Sequence, residues 1–469
     1  MRCRFSRREA LQAIFASWSA LKNTALSASR TVGYQLALFE ADVTPPLGHA
    51  LMGGGITAAK EIKDPLSASG FVLLGVGQPI VFVAVDWCEI RNEAYSRWQT
   101  VLAKTAHTSP DRILVASLHQ HDAPVADLEA ERILKSKHLQ GSVCDLEFHE
   151  QAVQRVAAAL RRGLEKPRRI SEIGLGQAKV EQVGSNRRYV TSDGRVRFNR
   201  TSATRDPSIR EKPEGIIDPW LKTLSFWDGE EPVAALSCYA THPMSYYGRG
   251  GVSSDFIGLA RQRRQEDNPG VAQIYASGCS GNVTAGKYND GSLENRPRLA
   301  DRIYQAMATA WKTTRRYPLR APLAYRVVPF RLEPRSGPGF TVEDLNTRLR
   351  SDNPKPFDQC LAALGLSWRR RADTGHKLSL PVLDLGVAQL LLMPGESYVE
   401  YQLLAQKLRP DSFVMTVGYG ECATGYVPTE KAIQEGDTNL SDWCWVAPGA
   451  EKAITDALKV ALSPTGSRP

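Results

Sequence analysis

Three histidines stand directly after apolar segments that have the character of buried strands. His119 and His121 follow residues 112–118, and His242 follows residues 233–239. Side chains two positions apart on an extended chain point the same way, so the first two imidazoles can face one cavity. Neutral imidazole is a common zinc ligand, and His121 is either a ligand or an acid/base beside the metal. Each motif alone is also typical of structural histidines, but three of the eight histidines at strand ends favour a metal site.

Two further side chains that can bind a metal follow strand-like segments. Glu396 comes after the very apolar residues 383–393, and Tyr426 stands in a Gly-Tyr-Val-Pro turn. Burying an unpaired carboxylate is costly, so Glu396 lies either near the surface or beside a partner such as a metal ion. Local sequence alone favours a packed turn for Tyr426. Ends of strands are where layered α/β proteins bind ligands.

A glycine-rich segment, residues 275–284, indicates a different chemistry. A loop with its sequence, Tyr-Ala-Ser-Gly-Cys-Ser-Gly-Asn-Val-Thr, could place backbone N–H groups around an oxyanion. It lacks the G-x-S-x-G pattern of a nucleophile elbow, so a Ser-His-Asp hydrolase is not the primary interpretation.

The elements that must position these residues predict a layered α/β fold. Strands expected over 79–86 and 112–118 enclose a helix over 93–105, and this strand–helix–strand order is typical of that class. No internal repeat or low-complexity linker is evident. We therefore predict layered mixed sheets with flanking helices in a single large domain, residues 31–469. The other expected elements are strands over 34–43, 70–77, 173–183, 221–227, 233–239, 323–332 and 383–393, and helices over 148–164, 257–265, 298–313 and 342–350.

Composition limits the classes of protein to consider. The 469 residues are 42% hydrophobic and 23% charged, which is ordinary for a globular protein. No segment past the N-terminus approaches the roughly 18 apolar residues of a membrane span. The net charge of +9 comes from scattered basic pairs without interleaved aromatic residues, so we expect no nucleic-acid binding and at most peripheral membrane contact. The eight cysteines include no C-x-x-C pair, which argues against a structural zinc knot.

The N-terminus has the features of an export signal. Phe-Ser-Arg-Arg at 5–8 is similar to a twin-arginine motif, a moderately apolar run covers 10–21, and small residues at 27–29 offer a cleavage site. The alternative is an amphipathic basic helix that stays on the protein, and Lys22 does end the apolar run early. We predict a twin-arginine-type signal over residues 1–30 and export to the periplasm or the cell surface.

Taken together and in this order, the motifs resemble the neutral/alkaline ceramidases, the non-lysosomal zinc amidases that cleave N-acylsphingosine. The resemblance covers residues 42–447. Its motifs are Asp-Val-Thr-Pro-Pro at 42–46, Leu-His-Gln-His at 118–121, Asn186-Arg187, Thr-His-Pro at 241–243, Val-Ser-Ser-Asp-Phe-Ile-Gly at 252–258, Gly-Asn-Val-Thr at 281–284, Met-Pro-Gly-Glu at 393–396 and Gly-Tyr-Val-Pro-Thr at 425–429.

The resemblance implies a zinc-dependent amidohydrolase that acts on a small molecule, lipids included. A water activated by Zn²⁺ would attack a carbonyl, and His121 or Arg187 would stabilise the oxyanion. Thr284 would orient the water or the leaving group. The residues carried over are the metal ligands His119, His242, Glu396 and Tyr426 and the catalytic residues His121, Arg187 and Thr284.

Three departures from the family bear on the substrate. Thr284 and Asn282 stand where the family has serine and aspartate. A further active-site tyrosine has no evident counterpart in residues 435–445, and we expect no C-terminal immunoglobulin-like domain. Three functions therefore stay open: a ceramidase-like amidase, a zinc-dependent esterase or deacylase acting on another exported substrate, and a non-catalytic ligand-binding relative.

Overall fold

Three large sheets form the framework of the computed structural model, which describes residues 33–320, 322–350 and 356–463. Residues 1–30, where we predict an export signal, lie outside the described residues. From Tyr34 onward the chain forms one compact unit. None of the described helices combines the length and the apolar content that crossing a membrane requires.

Strands and helices are mixed along the whole described chain, as the α/β prediction requires. The strands are β1 Tyr34–Asp42, β2 Glu61–Ile62, β3 Ser67–Leu74, β4 Ile80–Val85, β5 Glu89–Ile90, β6 Ile113–Ser117, β7 Val125–Ala126, β8 Arg168–Ile170, β9 Glu172–Lys179, β10 Ser185–Asn186, β11 Tyr189–Val190, β12 Val196–Arg197, β13 Trp220–Asp228, β14 Glu231–Tyr239, β15 Gly251–Val252, β16 Ala272–Ser277, β17 Val283–Thr284, β18 Arg315–Pro318, β19 Ala324–Phe330, β20 Leu378–Asp384, β21 Ala388–Leu392, β22 Glu396–Ser397, β23 Phe413–Val417 and β24 Tyr426–Val427. The helices are α1 Asn92–Ala106, α2 Leu128–Lys135, α3 Leu146–Leu164, α4 Pro207–Arg210, α5 Asp255–Asp267, α6 Asn295–Lys312, α7 Val342–Leu349, α8 Pro356–Asp373, α9 Val399–Leu408, α10 Glu430–Gln434 and α11 Ala450–Ala461.

The three large sheets repeat one topology. Their strand orders are β6-β4-β3-β1-β8, β16-β14-β13-β9-β18 and β23-β21-β20-β19. In each, an antiparallel pair is followed by a helix and then by a strand parallel to the second member, as in β3, β4, α1 and β6. The equivalent parallel pairs are β14 with β16 and β21 with β23. The sequence shows no repeat because the three units share their topology and not their residues. Parallel neighbouring strands need a crossover connection, here a helix, whatever residues they contain.

Hydrogen bonds join the ends of the three parallel pairs directly. The Ser277 hydroxyl donates to the Leu118 carbonyl at 2.7 Å, and the Gly418 N–H donates to the Ser277 carbonyl at 2.8 Å. The Ser117 N–H donates to the Tyr419 carbonyl at 2.9 Å, so each of the three strand ends is bonded to the other two. The segments that follow β6, β16 and β23 consequently meet at one place.

An apolar core shared by the sheets holds this arrangement. Phe71 and Leu114 of the first sheet, Leu236 of the second and Leu390 of the third belong to one buried cluster, each at most 1% exposed. Burial of aliphatic and aromatic side chains of this kind is the main favourable term in folding.

The expected elements agree with the structure at most positions. The strand expected over 383–393 is wrong: it is the end of β20, a turn and β21. Gly386 supplies this turn with a φ of 83°, a backbone conformation that favours glycine. The helix α8 was missed because its residues are apolar on nearly every side, so it lacks the periodicity that marks a surface helix.

Candidate metal centre

Each of the three repeated units contributes one side chain to a buried cluster. His119 follows β6, His242 follows β14 and Glu396 follows β21. The Nε2 atoms of the two histidines lie 3.1 and 3.0 Å from the same carboxylate oxygen, Oε2 of Glu396. All three side chains are at most 2% exposed. The geometry places two imidazole nitrogens and one carboxylate oxygen around a common point.

Backbone carbonyls fix the orientation of both imidazoles. His119 Nδ1 lies 2.9 Å from the Cys88 carbonyl, and His242 Nδ1 lies 2.6 Å from the Ser280 carbonyl. A carbonyl accepts only, so each Nδ1 carries the proton and each Nε2 presents a lone pair. A backbone carbonyl behind the ring is a common way to orient a metal-binding histidine. His119 adopts a φ of 73°, which is strained for a residue with a Cβ and is maintained at this site.

The three candidate ligand atoms form a donor set that suits a cation. Two neutral imidazole lone pairs face a carboxylate oxygen, and His119 Nε2 makes no hydrogen bond. Burial alone would lower the pKa of His119, but Glu396 outweighs it and raises that pKa. Burial and then Arg187 lower the pKa of His242 to about 4. Although burial opposes it, the two histidines hold the pKa of Glu396 well below its usual range. This donor set fits Zn²⁺, which binds imidazole nitrogen and carboxylate oxygen in proteins.

Tyr426 and Arg187 lie beside this cluster. The short parallel ladder of β22 and β24 sets Tyr426 opposite Glu396. Arg187 donates from Nη1 to the Tyr426 hydroxyl at 2.7 Å, and its Nη2 lies 3.3 Å from His242 Nε2. Burial raises the pKa of Tyr426, while Arg187 opposes that shift. All four residues that the resemblance gives as metal ligands therefore lie together, with Arg187 bridging two of them.

His121 and Cys88 complete the floor of the site. The His121 ring centroid is 5.5 Å from that of His119 and 4.7 Å from that of Tyr247, and its Nδ1 is buried without a partner. Burial and then the two neighbouring histidines hold the pKa of His121 well below its usual range. Cys88, His119 and His121 form a second group whose ligand atoms lie within 4.8 Å of one another. Sequence reasoning missed Cys88, whose only signal was its position just after β4.

Thr284 lies apart from the floor of the site. Its hydroxyl donates to the Thr201 carbonyl at 2.9 Å and accepts from the Gly286 N–H at 3.3 Å. Thr284 is not among the residues that line the cavity above the cluster. Its role in orienting water or the leaving group stays a prediction.

The glycine-rich loop contributes carbonyls to the site where we expected N–H groups. The N–H of Gly281 donates to the Ser397 carbonyl and that of Cys279 to the Gln402 side chain, so neither is free for an oxyanion. Gly281 is required by close approach, because a Cβ there would lie 2.1 Å from the Glu396 carbonyl oxygen. The loop thus braces Glu396 and, through the Ser280 carbonyl, His242.

Tyr419 is a second residue that sequence reasoning missed. Its ring stacks on His119, with centroids 4.3 Å apart and planes 17° from parallel. Its hydroxyl lies 2.7 Å from the Ser280 hydroxyl. Tyr419 therefore ties the first histidine to the loop that holds the second one.

A cavity of about 310 Å³ opens above the cluster. Its wall is apolar on one side, where Met52, Phe357 and Trp443 line it, and polar at the rim. The rim lies in the segment where no tyrosine counterpart was found. The rim residues are Thr438, Asn439, Ser441 and Asp442.

Comparison with known proteins identifies the fold. No family model matches the sequence, and no curated protein matches it. Among solved structures, neutral ceramidase from Pseudomonas aeruginosa is similar, with a TM-score of 0.65 and 18% identity over 92% of this chain and 74% of that chain. A ceramidase complexed with C2 is similar with a TM-score of 0.66 and 18% identity, over 92% of this chain and 75% of that one. The predicted fold class is confirmed, and the chain has the fold of neutral ceramidase.

Proposed function

We propose that this protein is a zinc-dependent hydrolase that cleaves the amide bond of N-acylated small molecules, ceramide-like lipids included. The observation that carries the proposal is the convergence of His119 Nε2, His242 Nε2 and Glu396 Oε2 beneath an open cavity. The fold of neutral ceramidase supports it, but one fold hosts many functions, so the argument depends on the site.

His119, His242, Glu396 and Tyr426 would hold the metal. Zinc bound there lowers the pKa of a bound water from about 15.7 to about 7 and so supplies a nucleophile at neutral pH. The chain itself fixes the imidazoles through the Cys88 and Ser280 carbonyls.

Arg187 and His121 are the residues that would act on the substrate. Arg187 is permanently charged and keeps one buried donor, Nε, without a hydrogen-bond partner, so it can stabilise an oxyanion. One such donor typically contributes on the order of 3 kcal/mol to the transition state. His121 Nδ1, also buried and unpartnered, is available to accept or return a proton.

The cavity suggests how such a substrate would lie. Met52, Phe357 and Trp443 offer contact to an acyl chain, and the polar rim offers hydrogen bonds to a hydroxylated amine. The same rim favours a second candidate, an esterase or deacylase acting on a polar conjugate. In either case the predicted signal at residues 1–30 supports action outside the cytoplasm.

Metal content and turnover, measured together, test the proposal. We expect about one zinc per chain, as a single catalytic site requires, and hydrolysis of N-acyl amino alcohols. Glu396→Gln should lose both. Glu150→Gln is the control, because it neutralises a half-exposed carboxylate paired with Arg97 on an outer helix, and it should keep both.

Two outcomes would overturn the proposal. One is a wild-type protein that binds no zinc after gentle purification and reloading. The other is a Glu396→Gln variant that turns over substrate as fast as the wild type. Hydrolysis of esters but not amides would select the second candidate, whereas zinc and ligand binding without turnover would indicate a non-catalytic relative.

A further inference from the structure

A buried ion pair beneath the cavity wall is not used by the proposed chemistry. Glu89 and Arg91 have completely buried side chains, and Arg91 Nη1 donates to Glu89 Oε2 at 2.6 Å. Glu89 is not among the residues that line the cavity. Its other oxygen, Oε1, accepts a hydrogen bond from Trp443 Nε1 at 2.9 Å. The carboxylate therefore connects the ion pair to the apolar wall.

Arg91 is fixed from every side, so Glu89 is fixed as well. Its guanidinium donates to the carbonyls of Cys422 and Ala423 at 3.0 and 2.9 Å, and Nε donates to Asp127 at 3.3 Å. Its guanidinium carbon lies 4.5 Å from the centroid of the Trp445 ring. A side chain held by four groups and an aromatic face has one conformation. Because Glu89 is hydrogen-bonded to this side chain, its carboxylate is held in one position as well.

Trp443 presents only carbon to the cavity because of this bond. The indole Nε1 is its one polar side-chain atom, and it is turned inward to Glu89. Phe357 lies nearly parallel to the indole, with centroids 6.1 Å apart and planes at 21°. Without the bond to Glu89, an indole at the edge of an open cavity would have other orientations available. One of these would direct the N–H into the cavity.

We propose that Trp443 selects the apolar group of the substrate, and that Glu89 is its positioning residue, acting through the indole N–H. This inference rests on the proposed function for its enzymatic test, but the binding of an amphiphile tests it independently. Long acyl groups use the wall formed by Met52, Phe357 and Trp443, whereas an acetyl group is too short to need it.

The experiment compares N-acetyl and N-dodecanoyl ethanolamine as substrates. For Trp443→Phe and for Glu89→Gln, we expect the KM of the dodecanoyl substrate to rise about tenfold, while the KM of the acetyl substrate changes less than about twofold. The kcat for both substrates should stay near that of the wild type. Because the two residues act through one bond, the double variant should be no worse than the more affected single variant.

Matched controls separate positioning from general destabilisation. Trp311→Phe alters an indole that stacks on Trp227, and it should leave the acyl selectivity unchanged. Glu131→Gln alters another buried carboxylate, which accepts backbone N–H groups away from the cavity, and it should lower stability without changing the KM ratio.

Binding distinguishes failure of this inference from failure of the proposed function. If the wild type hydrolyses neither substrate, the proposed function fails. Calorimetric titration of the Glu396→Gln background with N-dodecanoyl ethanolamine then gives the affinity directly. Weaker binding on adding Trp443→Phe or Glu89→Gln supports the inference. An unchanged acyl selectivity and an unchanged affinity in both variants would overturn it, as would a Glu89→Gln variant that loses only stability.

Discussion

Two buried polar clusters lie next to each other, where Cys88 adjoins Glu89 in the sequence. They differ in how completely their polar atoms are paired by hydrogen bonds. In the cluster of Glu89 and Arg91, every contact pairs a donor with an acceptor, at distances from 2.6 to 3.3 Å. In the cluster of His119, His242 and Glu396, two ring nitrogens converge on one carboxylate oxygen, and His119 Nε2 has no hydrogen-bond partner. The first cluster is complete as folded. The second would be completed by the proposed zinc ion.

The pKa values of the two buried glutamates shift in opposite directions. Burial raises the pKa of Glu89, although Arg91 opposes this. The histidines outweigh burial at Glu396 and lower its pKa. Glu396 is therefore kept as an anion by the two histidines beside it. The buried carboxylate of Glu89 is instead stabilised by its ion pair with Arg91.

The largest expected effect is the loss of zinc and activity on replacing a proposed ligand, compared with replacing a residue beside the ligands. His242→Ala should lose bound zinc and reduce kcat/KM by at least the roughly 10³-fold that loss of one transition-state contact can cost. His121→Ala should reduce kcat/KM while keeping about one zinc per chain, because its ring lies beside the ligand set. Elemental analysis and steady-state kinetics on both variants check this. If His121→Ala also loses the zinc, the metal is held by the Cys88, His119 and His121 group instead.

If zinc binds the folded chain as proposed, its removal should lower the thermal stability of the protein. At a free concentration about 1,000 times its Kd, a ligand stabilises the native state by about 4 kcal/mol. We therefore expect a chelator to lower the Tm of the wild type and to leave the Tm of His242→Ala unchanged. Equal shifts in the two proteins would place the bound metal elsewhere.

Neutralising the two glutamates should have unequal effects on the metal-free protein. At alkaline pH, where both imidazoles are neutral, Glu396→Gln introduces an amide N–H that can donate to an Nε2 lone pair, so we expect no loss of stability. Glu89→Gln removes the negative charge that pairs with Arg91, and breaking a buried ion pair costs about 3 kcal/mol or more.

Urea unfolding of the chelator-treated proteins measures both changes. Equal destabilisation by the two substitutions would mean that the metal-free ligand cluster is as well paired as the Glu89 cluster, which would contradict the comparison.

Sequence patterns located the candidate ligand cluster better than they located the apolar wall of the cavity. His119, His242 and Glu396 each follow an apolar run, and the end of such a strand is visible locally. The bond between Glu89 and Trp443 joins residues 354 positions apart, so no local pattern marks it. The threefold topology was invisible for a related reason: strand direction and order are set by tertiary packing, while the residues in the three units differ. For the glycine-rich loop, glycine spacing indicates close backbone approach but does not say which backbone atoms face the site.

The smallest expected effect concerns a buried histidine outside both clusters. His149 is 2% exposed, and burial lowers its pKa to about 4. The unfolded chain binds this proton below about pH 6.5, but the folded chain does not until about pH 4. Its contribution is therefore fully present above pH 6.5 and falls as the pH is lowered towards 4. Between pH 7 and pH 5 the loss should be about 2 kcal/mol.

Urea unfolding of metal-free wild type and His149→Gln at the two pH values isolates this contribution. The ligand histidines titrate in both proteins, so their effect cancels in the difference. The variant should lose about 2 kcal/mol less than the wild type between pH 7 and pH 5. An equal loss would mean that His149 is not kept neutral by burial. It would also remove the basis for comparing the two histidines. His119 is equally buried, so the difference between its pKa and that of His149 is attributed to Glu396, which His119 faces.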